Sequence, residues 1–320
     1  MTCTGSCVMD RCSRSATGPL SRRSESFNDL RIALEAEESS LKRLIVTADD
    51  FGAAPEVNEA VETAHRSGML RAASLMVGGP AAEDAIARAQ RLPELRVGLH
   101  LVLVEGRPVQ PASAVHRLVD AHGMFRTDMA SLGALIAVSG EARRQLAAEI
   151  TAQFEIFAAS GLALDHCNAH KHFHLHPFIG RMIASIGPRF GLKAARVPQE
   201  PLRLLRQIEP AAPRAGALTM PWAMLLRHHL RAAGVVSSDR MLGLAWSGHM
   251  TRGRLCALLT HLPHGLTEIY LHPATGPYPG SAPGYLYREE LDALTSPETA
   301  AACRDAGIEL GGFADFAVAA

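Results

Sequence analysis

The sequence predicts an α/β protein, a distorted (β/α) barrel of parallel strands with outer helices. Three observations lead there. From Arg43 onward, short β-rich apolar runs alternate with longer segments of helical period, the pattern of parallel strands joined by crossover helices. About eight such runs fall within roughly 280 residues, which suits a barrel better than an open sheet. No GxGxxG follows a strand-like run and no GxxxxGK(S/T) occurs, so dinucleotide and P-loop folds have little support.

The elements follow in order. Leu44-Ile45-Val46-Thr47-Ala48 is a short apolar run closed by Asp49-Asp50, hence a first strand at 44–48, and the helical period after Pro55 places a helix at 56–67. A strand at 73–77 precedes a helix at 81–91, and a strand at 96–102 follows, carrying His100 near its end. A long helical stretch at 141–160 leads to a strand at 163–168. Apolar runs at 194–197, 241–244, 267–271 and 307–310 complete the strands, with a helix at 252–261. The Pro/Gly-rich stretch 273–284 reads as a long loop on the active face, because the rhythm of strand and helix resumes after it. No internal repeat is present.

Composition narrows the function classes. The chain has 320 residues, 48% of them hydrophobic, with 32 basic and 32 acidic side chains, so no net field attracts a polyanion and nucleic acid is not an expected partner. No apolar run reaches the roughly 18 to 20 residues that span a bilayer, so the expectation is a soluble protein, peripheral to a membrane at most. Residues 1–28 are rich in Ser, Thr, Arg and Cys and lack the apolar centre of a secretory signal, which predicts a disordered extension over 1–41 ahead of a single domain at 42–320. Cys3, Cys7 and Cys12 lie in that extension, and Cys167, Cys256 and Cys303 are scattered without CxxC spacing. A reducing cytoplasm is the expected setting, with no disulfide framework.

The candidate chemistry sits at strand ends, where barrel enzymes build their sites. Asp49 and Asp50 close the first strand; at a strand-to-loop turn both can face one pocket, one binding a cation and the other left as a base, although either could instead cap the following helix. His100 closes another strand, and His170 lies just past a third. Asp, His and His from three strand ends suffice to hold a divalent ion with positions open for water and substrate. In His170-Lys171-His172-Phe173-His174-Leu175-His176 an extended chain would place all four histidines on one side, too many for one ion. His170 is assigned as the ligand because it is nearest the strand end, leaving His172 and His174 as substrate contacts or supporting donors. His272 ends the strand at 267–271 and suits a general acid, since an imidazole titrates near neutrality. Arg196, at another strand end, either contacts substrate or makes a salt bridge. Together these residues fit metal-assisted hydrolysis.

Leu44 to Gly52 with its Asp-Asp-Phe-Gly ending, Val97-Gly98-Leu99-His100-Leu101, His170 to His174 and Leu271-His272-Pro273 together resemble the YdjC-like carbohydrate deacetylases. The likeness runs from about Lys42 to the C-terminus. Ala72 to Gly78, Asn168 to Pro177 and Gly311-Gly312-Phe313-Ala314-Asp315 look like the hopanoid-biosynthesis branch, HpnK. The resemblance implies removal of an N-acetyl group from an amino sugar with one divalent ion, Zn²⁺ by ligand type or Mg²⁺ or Mn²⁺ in an open, oxygen-rich site. It also implies roles: Asp50, His100 and His170 as metal ligands, Asp49 as base and His272 as acid. For the hopanoid branch the implied substrate is an N-acetylglucosaminyl hopanoid. Asn168 and Lys171 depart from the aspartate and histidine that many members carry there, and Asn168 cannot act as an anionic partner behind a ligand.

A lipid-linked sugar needs an apolar approach, and residues 221–233 offer Trp222, Met224, Leu225 and Leu226 beside Arg227, His228, His229 and Arg231. That segment either lies on a membrane surface or covers the lipid, or simply packs on the barrel as an outer helix. The alternatives to a hopanoid deacetylase are a deacetylase of soluble chitooligosaccharides and a non-catalytic metal- or lipid-binding accessory protein. A lipid substrate alone should need the apolar helix, and only an enzyme should lose its function on Asp49→Asn. The expected location is the cytoplasm, with inner-membrane contact allowed; oligomeric state is left open, a homodimer being the candidate assembly.

Overall fold

The computed structural model describes residues 41–316, and the extension expected at 1–41 lies outside them but for Leu41. Strand β1 (Lys42–Phe51) is central, and its residues from Leu44 onward are buried. A strand covered on both faces reads as a continuous apolar run with no polar alternation, which is why Leu44 to Ala48 stands out in the sequence. Along Lys42 to Ala48 it pairs in parallel with β6 (Gly265–Leu271). Its other edge is shared: β7 (Ile308–Gly311) pairs with Lys42 to Ile45, and β2 (Ala72–Leu75) with Thr47 to Phe51. Beyond β2 come β3 (Arg96–Leu101) and β4 (Cys167–Ala169), and β5 (Arg240–Leu242) flanks β6.

This curled parallel sheet closes through single bonds. Between β4 and β5 runs the segment 193–199, in which Arg196 N donates to Cys167 O at 3.0 Å and Ala195 N donates to Val236 O at 2.9 Å. Met241 N then donates to Gln199 O at 3.0 Å. The result is the distorted (β/α) barrel that the alternation of runs predicts.

The helices are α1 (Pro55–Ser67), α2 (Ala82–Gln90), α3 (Met129–Val138), α4 (Gly140–Ala159), α5 (Pro177–Ile186), α6 (Leu202–Ile208), α7 (Ala215–Ala232), α8 (Arg252–Thr260), α9 (Tyr287–Thr295), α10 (Pro297–Asp305) and the single turn α11 (Phe313–Phe316). The helices expected at 56–67 and 252–261 differ from α1 and α8 by one residue at one end, and those expected at 81–91 and 141–160 differ from α2 and α4 by one residue at each end. No helix among the described residues is long and apolar enough to cross a membrane.

Three strand expectations need correction. The run at 44–48 extends to Phe51, so Asp49 and Asp50 lie within β1 rather than just past it. The strand expected at 163–168 is regular only over Cys167–Ala169. At 194–197 the chain makes isolated bridges, Cys167 to Ala195 and Ala194 to Val236, in place of a ladder. Both shortened segments lie where the barrel is least regular, and an apolar run marks burial there without marking ladder length.

Helix α7 packs Ala223, Leu226 and Leu230 inward, while Leu218, Trp222, Met224 and Leu225 remain exposed at 78%, 48%, 61% and 38%. Its apolar residues are thus split between the barrel and solvent, more than an outer helix needs.

Candidate metal centre and active site

The end of β1 carries a local irregularity that shapes the site. Pairing with β2 slips between Ala48 and Phe51, and Asp50 takes a left-handed φ of 64°. Alternation of side chains is broken there, so Asp49 and Asp50 line the same pocket. Gly52 follows at φ 97°, and a Cβ on it would meet Met76 O at 3.0 Å, so the turn requires glycine. Asn58 locks that turn by accepting from Gly52 N at 2.8 Å and donating to Ala81 O at 2.9 Å. Neither aspartate caps α1, whose N-cap is Ala54 with no side-chain bond.

Among the described residues one group of side chains has metal-ligand geometry: Asp50, His100 and His170, whose ligand atoms all lie within 4.8 Å of one another. Asp50 Oδ1 is 3.3 Å from His100 Nε2 and 3.2 Å from His170 Nδ1. His100 Nε2 is a buried nitrogen without a hydrogen-bond partner, whereas its Nδ1 lies 2.7 Å from Asn168 Oδ1. A buried, unsatisfied nitrogen facing a carboxylate fits a cation between them. Burial alone would raise the Asp50 carboxyl, but the charge of His170 beside it outweighs that and holds it well below the usual range. Burial likewise opposes charge on His170, and the Asp50 carboxylate overcomes it to raise the imidazole.

Asp49 is held differently. Arg196 Nη1 and Nη2 donate to its two oxygens at 2.5 and 2.9 Å, and Asn168 Nδ2 donates to Oδ1 at 3.2 Å. Arg196 is fully buried and also donates from Nε to Glu268 Oε1 at 2.8 Å, an oxygen that accepts from Thr47 Oγ1 at 3.0 Å. Burial would raise the Asp49 carboxyl, but the charge and paired hydrogen bonds of the Arg196 guanidinium outweigh it and keep it ionised far below the usual range. Arg196 therefore stands behind the site, locked to two carboxylates.

The chain does not stay extended over 170–176, so the condition for placing all four histidines on one side is not met. The chain coils into a 3₁₀ turn over His170–Leu175, with Lys171 and His172 left-handed at φ 52° and 53°. The four rings consequently diverge. His170 turns to Asp50 and His172 lies edge-on to Tyr270 in the pocket wall, with ring centres 5.0 Å apart. His174 is buried and lies 3.1 Å from Arg196 O, and His176 lies 3.1 Å from Gly133 O. Burial, reinforced by Arg196, keeps His172 and His174 neutral, the latter pushed down to about 3.

His272 lines the same pocket from the end of β6, with its ring against Tyr270 and Tyr285 at 5.4 and 5.2 Å. Its Nδ1 is buried without a partner, and its backbone N–H donates to Glu290 Oε2. The loop at 273–284 covers the pocket with Tyr278, Gly280, Ser281, Ala282 and Pro283, as a loop on the active face should.

Several residues of the pocket carry no signal in the single-residue reading. The four tyrosines of the chain, Tyr270, Tyr278, Tyr285 and Tyr287, all line it. Their confinement to 270–287 is the sequence feature that announces them. Lys171 and Glu105 pair across the pocket. Among the described residues the left-handed non-glycine positions are Asp50, Glu105, Lys171 and His172, and all four line this pocket. Strain gathered at one place marks a site held by its surroundings. A pocket of 580 Å³ with Met76, Val102, Met124 and Tyr278 adjoins on one side, sharing Asp50 and His170. On the other side a 320 Å³ groove with Met129, Phe173, Leu175 and Trp222 shares Lys171, His172 and Leu244.

Residues 43–305 match the model of the YdjC-like protein family. The chain belongs to the YdjC-like family. A carbohydrate deacetylase of Geobacillus stearothermophilus is 31% identical over 277 residues, spanning 85% of this chain and 97% of the relative. The mouse carbohydrate deacetylase is 32% identical over 293 residues, spanning 84% and 93%. A Brevibacillus brevis carbohydrate deacetylase is 39% identical over 148 residues, 46% of this chain and 56% of that protein. In fold, this YdjC-like chain is similar to a crystal structure from Enterococcus faecalis described as a cellobiose-phosphate cleavage protein. The TM-score is 0.68 at 24% identity, over 86% of this chain and 99% of the other.

Proposed function

We propose that this YdjC-like protein is a carbohydrate deacetylase, a hydrolase that removes the acetyl group from an N-acetylated amino sugar. We further infer that the sugar is carried on a lipid, an N-acetylglucosaminyl hopanoid. The observation that carries the hydrolytic reading is the Asp50, His100, His170 triad with Asp49 and His272 in one pocket. Two relatives matched over nearly their whole length are named carbohydrate deacetylases, which supports the substrate class. The tyrosine-lined wall supports it too, since aromatic faces offer a sugar ring large, rigid contact area.

Asp50, His100 and His170 would hold one divalent ion, Zn²⁺ or Mg²⁺. When bound, the ion supplies Lewis-acid polarisation of the acetyl carbonyl and lowers the pKa of water. Asp49 takes up the proton as water adds to the carbonyl carbon. Arg196 and Asn168 fix its oxygens in place and keep it ionised, at the cost of some basicity. His272, across the pocket, delivers a proton to the nitrogen as the C–N bond breaks, so that acetate and a free amine leave. Lys171 and Glu105 sit where the pocket meets its two apolar arms and can orient sugar hydroxyls.

The lipid part of the reading is supported by the apolar groove that shares Lys171, His172 and Leu244 with the catalytic pocket and is lined by the half-exposed Trp222 of α7. A bound hydrocarbon would cover surface that otherwise faces water, and the same face suits contact with a membrane holding the substrate. The deciding experiment is acetate release from an N-acetylglucosaminyl hopanoid and, in parallel, from N,N′-diacetylchitobiose, each with Zn²⁺ or Mg²⁺ and again with chelator. Metal-dependent release from the lipid substrate alone is expected. Release from chitobiose at equal or better efficiency would move the assignment to soluble chitooligosaccharides, and release from neither would overturn the substrate class.

A further inference from the structure

Behind His100 runs a chain of buried side chains, of which the proposed reaction uses only Asn168, as a donor to Asp49. Asn168, Ser74 and His166 are fully buried and Asp165 is 5% exposed. Asn168 Oδ1 lies 2.7 Å from His100 Nδ1, and Asn168 Nδ2 donates to Asp49 Oδ1 at 3.2 Å and to Ser74 Oγ at 2.9 Å. Ser74 Oγ lies 3.0 Å from His166 Nε2, and His166 Nδ1 lies 2.8 Å from Asp165 Oδ2. Asp165 is itself pinned, accepting from Phe313 N at 3.2 Å and Ala314 N at 2.8 Å.

The proton positions follow from matching donors to acceptors along the chain. Ionised Asp49 only accepts, so the amide NH₂ of Asn168 must face it and the amide oxygen must face His100. His100 therefore carries its proton on Nδ1 and presents a bare lone pair at Nε2, the nitrogen without a hydrogen-bond partner. The far end demands the same direction. Asp165 only accepts, so His166 is protonated on Nδ1, its Nε2 accepts from the Ser74 hydroxyl, and the Ser74 oxygen is left to accept from Asn168. Two carboxylates thus impose one polarity from opposite ends.

The fold makes room for this arrangement. The His166 ring lies over Gly98 of β3, where a Cβ would come within 2.5 Å of it, and the Phe313 ring covers it at 4.7 Å between centres. A histidine merely filling the core would need neither a bare backbone below it nor a carboxylate fixed by two backbone N–H groups.

We propose that Asn168, braced by Ser74 and the His166–Asp165 pair, is a positioning residue that locks His100 in the tautomer able to bind a metal ion and ties that choice to ionised Asp49. Partners behind a ligating histidine set its tautomer and orientation, and their loss costs metal affinity. The proposal rests on the metal-dependent reading above. The two are separated by reading the tautomer in metal-free protein and the affinity with Zn²⁺.

The test uses the full chain and the variants Asn168→Leu, Asn168→Asp, Ser74→Ala and the Asn168→Leu/Ser74→Ala double change. Side-chain ¹⁵N–¹H spectra of the metal-free proteins report the tautomer, and chelator competition reports Zn²⁺ affinity. The parent should show His100 with Nδ1–H. Asn168→Leu should lose that signature and about 10- to 100-fold in Zn²⁺ affinity. Asn168→Asp, which keeps an acceptor opposite Nδ1 but removes the donor to Asp49, should keep the Nδ1–H signature. Ser74→Ala should cost less, and nothing further once Asn168 is Leu, because the hydroxyl acts through the amide. An Nε2–H form in the parent, parental affinity in Asn168→Leu, or an equal Ser74→Ala cost with and without Asn168 would overturn the proposal. If Asn168→Leu does not fold, Ser74→Ala decides: mixed His100 tautomers support it, and an unchanged tautomer and affinity reject it. A parent that binds no Zn²⁺ would sink the metal reading, and the metal-free spectra would still judge the positioning.

Discussion

At the floor of the pocket Asp49, Arg196, Asn168 and Ser74 are buried and bonded to one another, whereas on α7 Trp222, which lines the adjoining groove, and Leu218, one turn before it, face solvent over roughly half or more of their surface. The first region fixes atoms, because buried polar groups have so few ways to satisfy their bonds that their geometry is nearly determined. The second offers area without direction, which suits an apolar ligand of loose shape. Under the proposed function the difference divides two jobs: chemistry would rest on the closed network, and choice of substrate on the open face.

The comparison predicts a graded series of effects. Asp50→Ala, in the network, should abolish metal binding measured by metal analysis and lower kcat/KM beyond about 10³-fold, since it removes a ligand and its charge at the reacting centre. Asp49→Asn should keep the metal yet lose on the order of 10² to 10⁴ in kcat, the range for a proton-transferring group; full turnover in that variant would remove Asp49 from the reaction. Arg196→Met should destabilise the fold by about 3–5 kcal/mol in denaturant unfolding, because Asp49 and Glu268 would remain buried without their counter-charge. Trp222→Ser, on the open face, should leave stability within about 0.5 kcal/mol and raise KM by about tenfold for the lipid-linked substrate alone. An equal effect on chitobiose would show that α7 touches the sugar and leave the lipid without a seat.

The smallest effect concerns pH. His172 and His174 are held neutral in the folded protein, with His174 near 3, while the unfolded chain binds protons at about 6.5. A folded pKa below the unfolded one contributes stability that is present above pH 6.5 and is lost as pH falls toward 3. Asp49 and Asp50 act in the same sense further down: their contribution is present above about pH 4 and lost below it. Stability measured against pH should therefore fall in two stages on acidification. His174→Asn should shrink the upper stage to the part His172 contributes and leave the lower one in place.

The legible part of the site consists of residues at the ends of apolar runs. Asp49, Asp50, His100, His170 and His272 could be singled out because parallel strands end on one face of a barrel, and the structure brings all five to one pocket. The histidine run was not legible in the same way. Its alternation suggests a shared face, but two left-handed residues turn the chain and send His174 and His176 elsewhere. Arg196 left two readings open, and only burial distinguishes an arginine beneath a site from one lining it.

What the chain by itself determined was the alternation of buried strands and helices, the strand ends that carry carboxylates and imidazoles, and the family resemblance those segments convey. Hydrophobic period and local motif are properties of neighbouring residues, so no folding is needed to see them. Only the tertiary structure decided that the β1 irregularity turns two adjacent aspartates into one pocket, and that Ser74 and His166 stand in line behind His100. It also decided that four tyrosines form a wall. Each of these depends on atoms far apart in sequence meeting within hydrogen-bond or van der Waals distance, and the distances are set by the closed barrel rather than by any segment of it.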